Sequence, residues 1–237
     1  MNQNKQAPIG VFDSGVGGLT VAREIMRNLP SERIVYFGDT ARVPYGSKSK
    51  EIVLKYSRQI VRFLQTQEVK AIVVACNTAS AMALETIREE IDIPIIGVVK
   101  PGAKVAARTT RNKKIGLIGT RGTVNSELYP AIIHEYDPRI QVIGQACPLL
   151  VPLVEEGWLK DKVTVEVTKR YLDPLLEQGV DTLILGCTHY PLLRSLMRQV
   201  AGESVTLVNP AYETARALRE LLKEHGIEND GDRKSVV

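Results

Sequence analysis

Two of the three cysteines stand in similar surroundings that suit acid–base chemistry. Cys76 closes the apolar run of "AIVVACNTAS" (71–80), and Cys187 closes that of "TLILGCTHYP" (182–191). Polar residues follow each cysteine at once. A thiol acts as an acid or a base when a neighbour holds or accepts its proton. Two such thiols on opposite sides of a bound molecule could remove a proton from one face and return one to the other, which inverts a stereocentre.

Each of these thiols has a candidate partner in the sequence. Asp13 could hold or accept the proton of Cys76, and His189, two residues beyond Cys187, could do so for Cys187. Cys147, in "QACPLL", has no such neighbour and is predicted to pack in the core. The alternative for any one cysteine, taken alone, is that it is a small buried apolar residue.

The cysteines and histidines lack the spacing of a metal site or of a disulfide framework. No C-x-x-C occurs, and His134, His189 and His225 are far apart, so no metal is expected. An odd number of cysteines without paired spacing argues against disulfides and favours a reducing cytoplasm. A redox pair is conceivable, but neither Cys76 nor Cys187 is marked as a resolving partner.

The glycine-rich segment "DSGVGG" (13–18) leads into a predicted helix. Such a turn exposes backbone N–H groups at the start of a helix, where an anion binds well. Its spacing matches neither the dinucleotide-binding fingerprint nor the P-loop, so a small carboxylate is a better candidate ligand than a nucleotide. The alternative is a tight turn without a ligand.

Eight short apolar runs alternate with helical patterns along the chain. The runs are rich in Val and Ile and lack strict alternation with polar residues, as is typical of strands buried on both faces. Helical patterns at 19–29 and 49–66 place their apolar residues on one face. The order predicts an α/β fold with mostly parallel sheets flanked by helices. The predicted strands are 9–12, 33–39, 71–77, 93–99, 114–120, 140–146, 181–187 and 204–209.

The two halves of the chain are similar to each other. "IGVFDSGVGG" (9–18) is similar to "IGLIGTRGTV" (115–124), and the two cysteine segments repeat at nearly the same offset. The similarity predicts two related lobes, the alternative being a chance likeness between buried strands. Ligands bind beyond the carboxyl ends of parallel strands. If the lobes face each other, one cleft is lined by Asp13, Ser14, Cys76, Asn77, Thr78, Thr120, Cys187, Thr188 and His189.

Composition and charge exclude several functional classes. The chain has 237 residues, 44% of them hydrophobic and 24% charged, which suits a soluble protein with a substantial core. No apolar stretch approaches the roughly 18 to 20 residues of a membrane span, and "MNQNKQAPIG" (1–10) lacks the apolar core of a secretory signal. The net charge of +4 is spread along the chain, with "RNKK" (111–114) as its densest cluster, so we expect neither nucleic-acid nor membrane binding.

Four segments together resemble the bacterial glutamate racemases of the cofactor-independent aspartate/glutamate racemase superfamily. They are "IGVFDSGVGGLTV" (9–21), "YFGDTARVPYG" (36–46), "ACNTAS" (75–80) and "LGCTHYPLL" (185–193), and the resemblance runs from about residue 8 to residue 224. It implies an isomerase that interconverts L- and D-glutamate without a cofactor and supplies D-glutamate for peptidoglycan synthesis, and so for cell-wall biogenesis and cell shape. The implied protein is cytoplasmic and a homodimer.

The resemblance assigns the proton transfers to the two repeated cysteines. Cys76 would take the α-proton from D-glutamate, and Cys187 would take it from L-glutamate. Asp13 would be the supporting acid beside Cys76.

On the other side, Glu155 and His189 would support Cys187. Glu156 is the alternative to Glu155, because the family varies in length at this point. The resemblance implies substrate contacts with Asp13, Ser14, Tyr45, Gly46, Asn77, Thr78, Thr188 and His189, and a further carboxylate contact with Thr120 and Thr123.

The same resemblance implies two α/β lobes with the active site in the cleft between them. The first lobe comprises 1–99 and 209–237, because the C-terminal helix returns to it, and the second comprises 100–208. The tail 231–237 carries no recognised motif and is expected to be disordered. Few residues precede the first strand, so activation by a cell-wall precursor, as in relatives with a long N-terminal extension, is not expected.

Two other functions stay open at this point. A racemase for aspartate or another amino acid would use the same two thiols, and its pocket would differ by one methylene, worth about 1 to 3 kcal/mol. A two-lobed protein that binds a small carboxylate without turnover would not need paired cysteines. A substrate panel tests the first alternative, and α-proton exchange in D2O tests the second.

Overall fold

The computed structural model describes residues 5–229 and 231. The expectation for the tail 231–237 therefore lies outside the described residues, apart from Gly231. Within residues 5–229 the chain forms eight strands, one for each predicted apolar run. They are β1 (Ile9–Asp13), β2 (Ile34–Gly38), β3 (Ala71–Val74), β4 (Ile95–Gly97), β5 (Lys114–Gly119), β6 (Gln141–Ala146), β7 (Thr182–Gly186) and β8 (Thr206–Val208).

Helices connect the strands and cover the sheets. In the described part of the chain the α-helices are α1 (Leu19–Asn28), α2 (Lys50–Thr66), α3 (Asn77–Met82), α4 (Leu84–Glu90), α5 (Val99–Thr109), α6 (Arg121–Asn125), α7 (Leu128–Tyr136), α8 (Leu150–Glu155), α9 (Lys162–Glu177), α10 (Arg194–Ala201) and α11 (Pro210–Glu224). Short 3-10 turns form at Tyr45–Ser47 and Tyr190–Leu193. Among these described helices, none is long and apolar enough to cross a membrane.

The strands form two parallel four-stranded sheets with the same strand order. The first sheet has the order β2-β1-β3-β4, and the second has the order β6-β5-β7-β8. Helices cover both faces of each sheet, which explains why the strands are continuously apolar. These sheets confirm the predicted α/β fold of two similar lobes. We call each sheet, with the helices packed on it, the first and the second lobe.

Each sheet separates two apolar clusters. In the first lobe, Val11 packs towards α1 and α11, whereas Phe12 packs towards α2, α3 and α4. In the second lobe, Leu117 packs towards α5 and α7, and Leu185 packs towards α8, α9 and α10. The C-terminal helix α11 thus lies on the first sheet, and α5 lies on the second. The lobe boundaries after residues 99 and 208 stay a prediction.

The strand order determines where a ligand can bind. In each sheet the chain turns to one side of the first strand and later returns on the other side, so a crevice opens beyond the carboxyl ends of the two central strands. Asp13 ends β1, and Cys76 follows β3. Thr120 and Cys187 follow β5 and β7, the equivalent strands of the second lobe. The repeated topology therefore gives each lobe one cysteine at its crevice.

A buried ion pair ties the C-terminal segment to the first lobe. The Lys70 ammonium lies 2.5 Å from the Glu32 carboxylate, and both side chains are almost fully buried. Lys70 also donates to the Ile227 carbonyl over 2.8 Å, and Glu32 accepts from the Asn229 N–H over 2.8 Å. Removal of one of the two charges would leave the other buried and unpaired.

We expect Lys70→Met to lower the free energy of unfolding by about 3 to 5 kcal/mol, the usual cost of breaking a buried pair from one side. The double variant Glu32→Gln/Lys70→Met should recover much of that loss, because it leaves no buried charge unpaired. Urea unfolding followed by circular dichroism measures both variants. Equal losses in the single and the double variant would contradict this explanation.

Candidate active site

One cavity between the two lobes contains both repeated cysteines. Its volume is about 390 Å³, and Cys76 and Cys187 both lie in its wall. Loops after β1, β2 and β3 line it from the first lobe, and loops after β5, β6 and β7 line it from the second. The sequence-predicted residues that line it are Ser14, Tyr45, Gly46, Cys76, Asn77, Thr78, Thr120, Glu155, Cys187, Thr188 and His189.

Cys187, His189 and Glu155 form a hydrogen-bonded chain. The Cys187 Sγ lies 3.7 Å from His189 Nδ1, and His189 Nε2 lies 3.0 Å from Glu155 Oε1. An ionised carboxylate only accepts hydrogen bonds, so the proton of the neutral imidazole is assigned to Nε2. The Nδ1 lone pair then faces the thiol and can accept its proton.

The structure distinguishes the two neighbouring glutamates. Glu155 is the last residue of α8, lines the cavity and contacts His189, with its side chain 44% exposed. Glu156 instead lies beside Trp158 and Val163 in a groove on the outer surface. Successive residues of a helix point in different directions, so only one of the pair can reach the imidazole.

The Cys187 thiol is protonated at rest. Burial, together with negative charge on Asp13 and Cys76, raises its pKa to about 12. The backbone N–H of His189 and the Thr188 hydroxyl oppose the rise by stabilising the thiolate. Both thiols lie in the wall of the same cavity.

Cys76 stands at the N-terminus of α3. Its Sγ accepts a hydrogen bond from the Ala79 N–H over 3.4 Å, and its thiol donates to Ser14 Oγ over 3.6 Å. Burial and, to a smaller extent, the Asp13 charge together raise the pKa of Cys76 to about 11. The thiol hydrogen bond therefore goes to Ser14, while Asp13 acts on Cys76 through its charge.

Asp13 lies behind the cavity wall and is fully buried. Its Oδ2 accepts from the Gly15 N–H over 3.1 Å and from the Gly18 N–H over 2.9 Å. Burial raises its pKa, whereas the hydrogen bond from the Gly18 N–H and positive charge on a protonated His189 lower it. Its Oδ1 has no hydrogen-bond partner among the described residues, which suits a carboxyl that can carry a proton there.

This arrangement changes the interpretation of the glycine-rich loop. The sequence predicts that the N–H groups of "DSGVGG" bind the carboxylate of a ligand. In the structure, two of those groups, from Gly15 and Gly18, bind the carboxylate of Asp13 itself. The loop directly follows Asp13 at the end of β1, so the Asp13 carboxylate lies within hydrogen-bond distance of these N–H groups.

Three threonine hydroxyls meet where the lobes come together. Thr78 Oγ1 lies 2.8 Å from Thr120 Oγ1 and 3.3 Å from Thr123 Oγ1. The Thr120 hydroxyl also caps α6 by accepting from the Thr123 N–H over 3.2 Å. Thr78 and Thr120 line the cavity, whereas Thr123 is fully buried. Thr123 therefore supports the other two hydroxyls from behind.

Tyr45 and Gly46 form another part of the wall. The Tyr45 hydroxyl donates to the Asp39 carboxylate, which also pairs with Arg42 over 2.8 Å. The phenol is thus engaged inside the first lobe, although the residue lines the cavity. A Cβ on Gly46 would come within 2.5 Å of the Thr120 Cβ, so a glycine is needed where the lobes approach.

The third cysteine packs as predicted. Cys147 is fully buried in an apolar cluster of the second lobe, and its thiol donates to the Gln145 carbonyl over 3.4 Å. Burial raises its pKa above its usual range. Across residues 5–229 and 231, no group of three or more His, Cys, Asp or Glu side chains is placed to hold a metal ion.

Sequence reasoning missed four residues around the cavity. Arg121 lines it, and Asp39 holds the Tyr45 hydroxyl. The hydroxyls of Thr20 and Tyr129 contact residues beside the two cysteines. Arg121 sits next to a predicted ligand contact and could have been found by asking which cation lies near Thr120. Asp39 lies only six residues before Tyr45, within the segment 36–46. Thr20 and Tyr129 show no signal in the sequence, because their roles depend on long-range contacts.

The match to a family model covers almost all of the described chain. The model of the Asp/Glu/hydantoin racemases matches residues 9–228. The chain belongs to this racemase family. The match confirms the resemblance of the four sequence segments, and it makes the protein an isomerase.

Several relatives of this racemase cover most of its length. A glutamate racemase from Geobacter metallireducens is 53% identical over 215 residues, which is 91% of this chain and 80% of that protein. A crystal structure of a glutamate racemase isoform from Bacillus anthracis has a TM-score of 0.93 at 47% identity, over 96% of this chain and 86% of that one. The structure of a glutamate racemase from Francisella tularensis in complex with D-glutamate has a TM-score of 0.90 at 39% identity, over 97% of this chain and 86% of that one.

We expect Asp13→Asn to stabilise the racemase at neutral pH, because burial raises the pKa of Asp13 and so disfavours its charge in the folded state. A raised folded pKa means that the wild type loses stability as the pH rises above about 4, the unfolded value. The advantage of the variant should therefore be present at pH 7 and fade at pH 3.5. Urea unfolding at both pH values measures it.

Asp137→Asn provides a control of opposite sign. Arg139 lowers the pKa of this exposed carboxyl, so its charge stabilises the folded state at neutral pH and the effect is lost as the pH falls. The control should be less stable than wild type at pH 7. If Asp13→Asn lost stability in the same way, Asp13 would be held as a favourable anion and our account of it would fail.

Proposed function

We propose that the protein is a glutamate racemase that interconverts L- and D-glutamate with two cysteines and no cofactor. The observation that carries the proposal is that Cys76 and Cys187, from equivalent positions of two similar lobes, line one cavity. The relatives from Geobacter and Bacillus, at 53% and 47% identity, are named glutamate racemases. Their names support glutamate over aspartate as the substrate.

In the proposed reaction, one thiolate removes the α-proton and the other thiol protonates the opposite face. Cys76 is the base for D-glutamate, and Cys187 is the base for L-glutamate. His189, held by Glu155, takes the thiol proton of Cys187 when that residue is the base. On the other side, Asp13 has a raised pKa and suits the role of holding the proton that Cys76 gives up.

Burial makes these thiolates stronger bases than a free cysteine thiolate. The pKa values of about 11 and 12 for Cys76 and Cys187 exceed the value of about 8.5 for a free cysteine. A base of higher pKa is a better match for an α-proton. The cost is that few thiolates form at rest, so proton release is coupled to substrate binding and to the exclusion of water.

The rest of the cavity suits a small dicarboxylate. Hydroxyls of Thr78 and Thr120 and the side chain of Asn77 are placed to hold the substrate and to stabilise charge that develops on the α-carboxylate. Among the described lining residues, Arg121 is the one Lys or Arg. Its positive charge complements the second carboxylate of glutamate. Ser14, Gly46, Thr188 and His189 complete the proposed contacts.

The cellular role follows from the activity and the resemblance. A cytoplasmic glutamate racemase supplies D-glutamate for peptidoglycan synthesis, and so serves cell-wall biogenesis and cell shape. We include a homodimer in the proposal, as the resemblance implies. Size-exclusion chromatography with light scattering tests the homodimer directly.

We expect wild-type protein in D2O to exchange the α-proton of both glutamate enantiomers and to racemise them. Cys76→Ala and Cys187→Ala should each lose racemisation by at least about 10³-fold, because each removes one acid–base group. Cys147→Ala, the matched control, should stay within about threefold of wild type. Polarimetry measures racemisation, and proton NMR measures exchange.

Three results would contradict the proposal. Binding of glutamate without α-proton exchange in the wild type would favour a carboxylate-binding protein. Substantial racemisation by either Cys76→Ala or Cys187→Ala would exclude the two-thiol mechanism. Faster turnover of aspartate than of glutamate by the wild type would assign the protein to the rival substrate.

Substitution of each of two neighbouring glutamates tests whether Glu155 supports Cys187 through His189. We expect Glu155→Gln to lower kcat/KM by about 10²-fold, because the imidazole loses the carboxylate that fixes its tautomer and stabilises its charge. Glu156→Gln should change kcat/KM by less than about twofold, since Glu156 faces the outer surface. Steady-state kinetics from both enantiomers measure the two variants, and a larger loss in Glu156→Gln would reverse the assignment.

A further inference from the structure

Each residue that follows an active-site cysteine is hydrogen-bonded by a hydroxyl from the opposite lobe. Tyr129, on α7 of the second lobe, donates to Asn77 Oδ1 over 2.8 Å. Thr20, on α1 of the first lobe, donates to the Thr188 carbonyl over 2.9 Å. Asn77 follows Cys76, and Thr188 follows Cys187. The two contacts are therefore reciprocal across the cavity.

The contact from Tyr129 sets the orientation of the Asn77 amide. Tyr129 is fully buried, and its hydroxyl donates to the Asn77 oxygen. With the amide turned around, the buried phenolic O–H would face an N–H group and lack an acceptor, a state that folded proteins avoid. The Asn77 oxygen is thus occupied, and the amide offers its N–H groups to a carboxylate in the cavity.

The contact from Thr20 acts on the backbone of the other half-site. The Thr20 hydroxyl lies 2.9 Å from the Gly17 carbonyl in its own lobe and 2.9 Å from the Thr188 carbonyl in the second lobe. Gly17 permits this approach, because a Cβ there would come within 2.5 Å of His189 Nδ1. Thr20 therefore holds the peptide group that joins Thr188 to His189.

We propose that Thr20 and Tyr129 are a pair of positioning residues, each of which holds the residue beside the opposite lobe's cysteine in its working place when the lobes are together. Neither hydroxyl lines the cavity, so both act through Thr188 or Asn77. Each hydrogen bond crosses between the lobes, so closure itself completes both half-sites. This inference rests on the proposed two-thiol reaction.

The first test is steady-state kinetics of the full chain with glutamate. Thr20→Val and Tyr129→Phe each remove one hydroxyl and little else, and each should lower kcat/KM by about five- to tenfold, as expected for one lost hydrogen bond. Thr20→Ser keeps the hydroxyl and should stay within about twofold of wild type. A Thr20→Ser variant as slow as Thr20→Val would overturn the role of the hydroxyl.

The second test separates positioning from general loss of structure. With α-deuterated D- and L-glutamate, the primary isotope effect on kcat/KM reports how far each cysteine's proton transfer limits the rate. Tyr129→Phe slows the transfer at Cys76, the proposed base for D-glutamate. The isotope effect with D-glutamate should therefore rise, and the isotope effect with L-glutamate should fall. Thr20→Val slows the transfer at Cys187, so both shifts should be reversed.

Loss of folded protein would lower rates without changing either isotope effect. Isotope effects that stay at the wild-type values, or that shift in the same sense in both variants, would overturn the proposal. Failure of the proposed function shows up elsewhere, as racemisation that survives in Cys76→Ala or Cys187→Ala. The two failures are therefore distinguishable.

Discussion

Burial of two thiols in one cavity is the constraint on which the rest of the structure depends. The same desolvation that raises the pKa of Cys76 to about 11 and that of Cys187 to about 12 gives their thiolates strength as bases and makes them scarce. Each thiol therefore needs a nearby group to hold its proton. In the proposed reaction, the site has to supply two such groups, on opposite sides.

The repeated fold places the two cysteines at equivalent positions. The groups beside each thiol differ between the two half-sites. Equivalent strand ends place one cysteine in each lobe. Cys187 has an imidazole within reach, and the half-exposed Glu155 carboxylate connects that imidazole towards solvent. Cys76 has a serine hydroxyl and the sealed carboxyl of Asp13. A symmetric scaffold thus carries an asymmetric pair, which suits a substrate whose two faces differ.

The lobes approach each other closely around the cavity, and glycines make this approach possible. A side chain on Gly17 would collide with His189, and one on Gly46 would collide with Thr120. Hydroxyl contacts also connect the lobes beside the cavity. The Thr78 hydroxyl contacts that of Thr120, and the Thr20 hydroxyl contacts the Thr188 carbonyl.

The sequence alone determined the strands, the duplicated topology and the two cysteines at strand ends, because burial on both faces and local turn chemistry are written in short segments. Only the tertiary structure decided which groups those cysteines meet. The Asp13 carboxyl took the N–H groups of its own loop, Glu155 and not Glu156 reached the imidazole, and Thr20 and Tyr129 crossed to the opposite lobe. The Asp13 contacts are local, but the sequence does not show whether the N–H groups of the loop bind Asp13 or a ligand. The contacts of Glu155, Thr20 and Tyr129 join residues far apart in the chain, and Glu155 differs from Glu156 by one helical position. These contacts depend on lobe packing and side-chain direction, which no local pattern encodes.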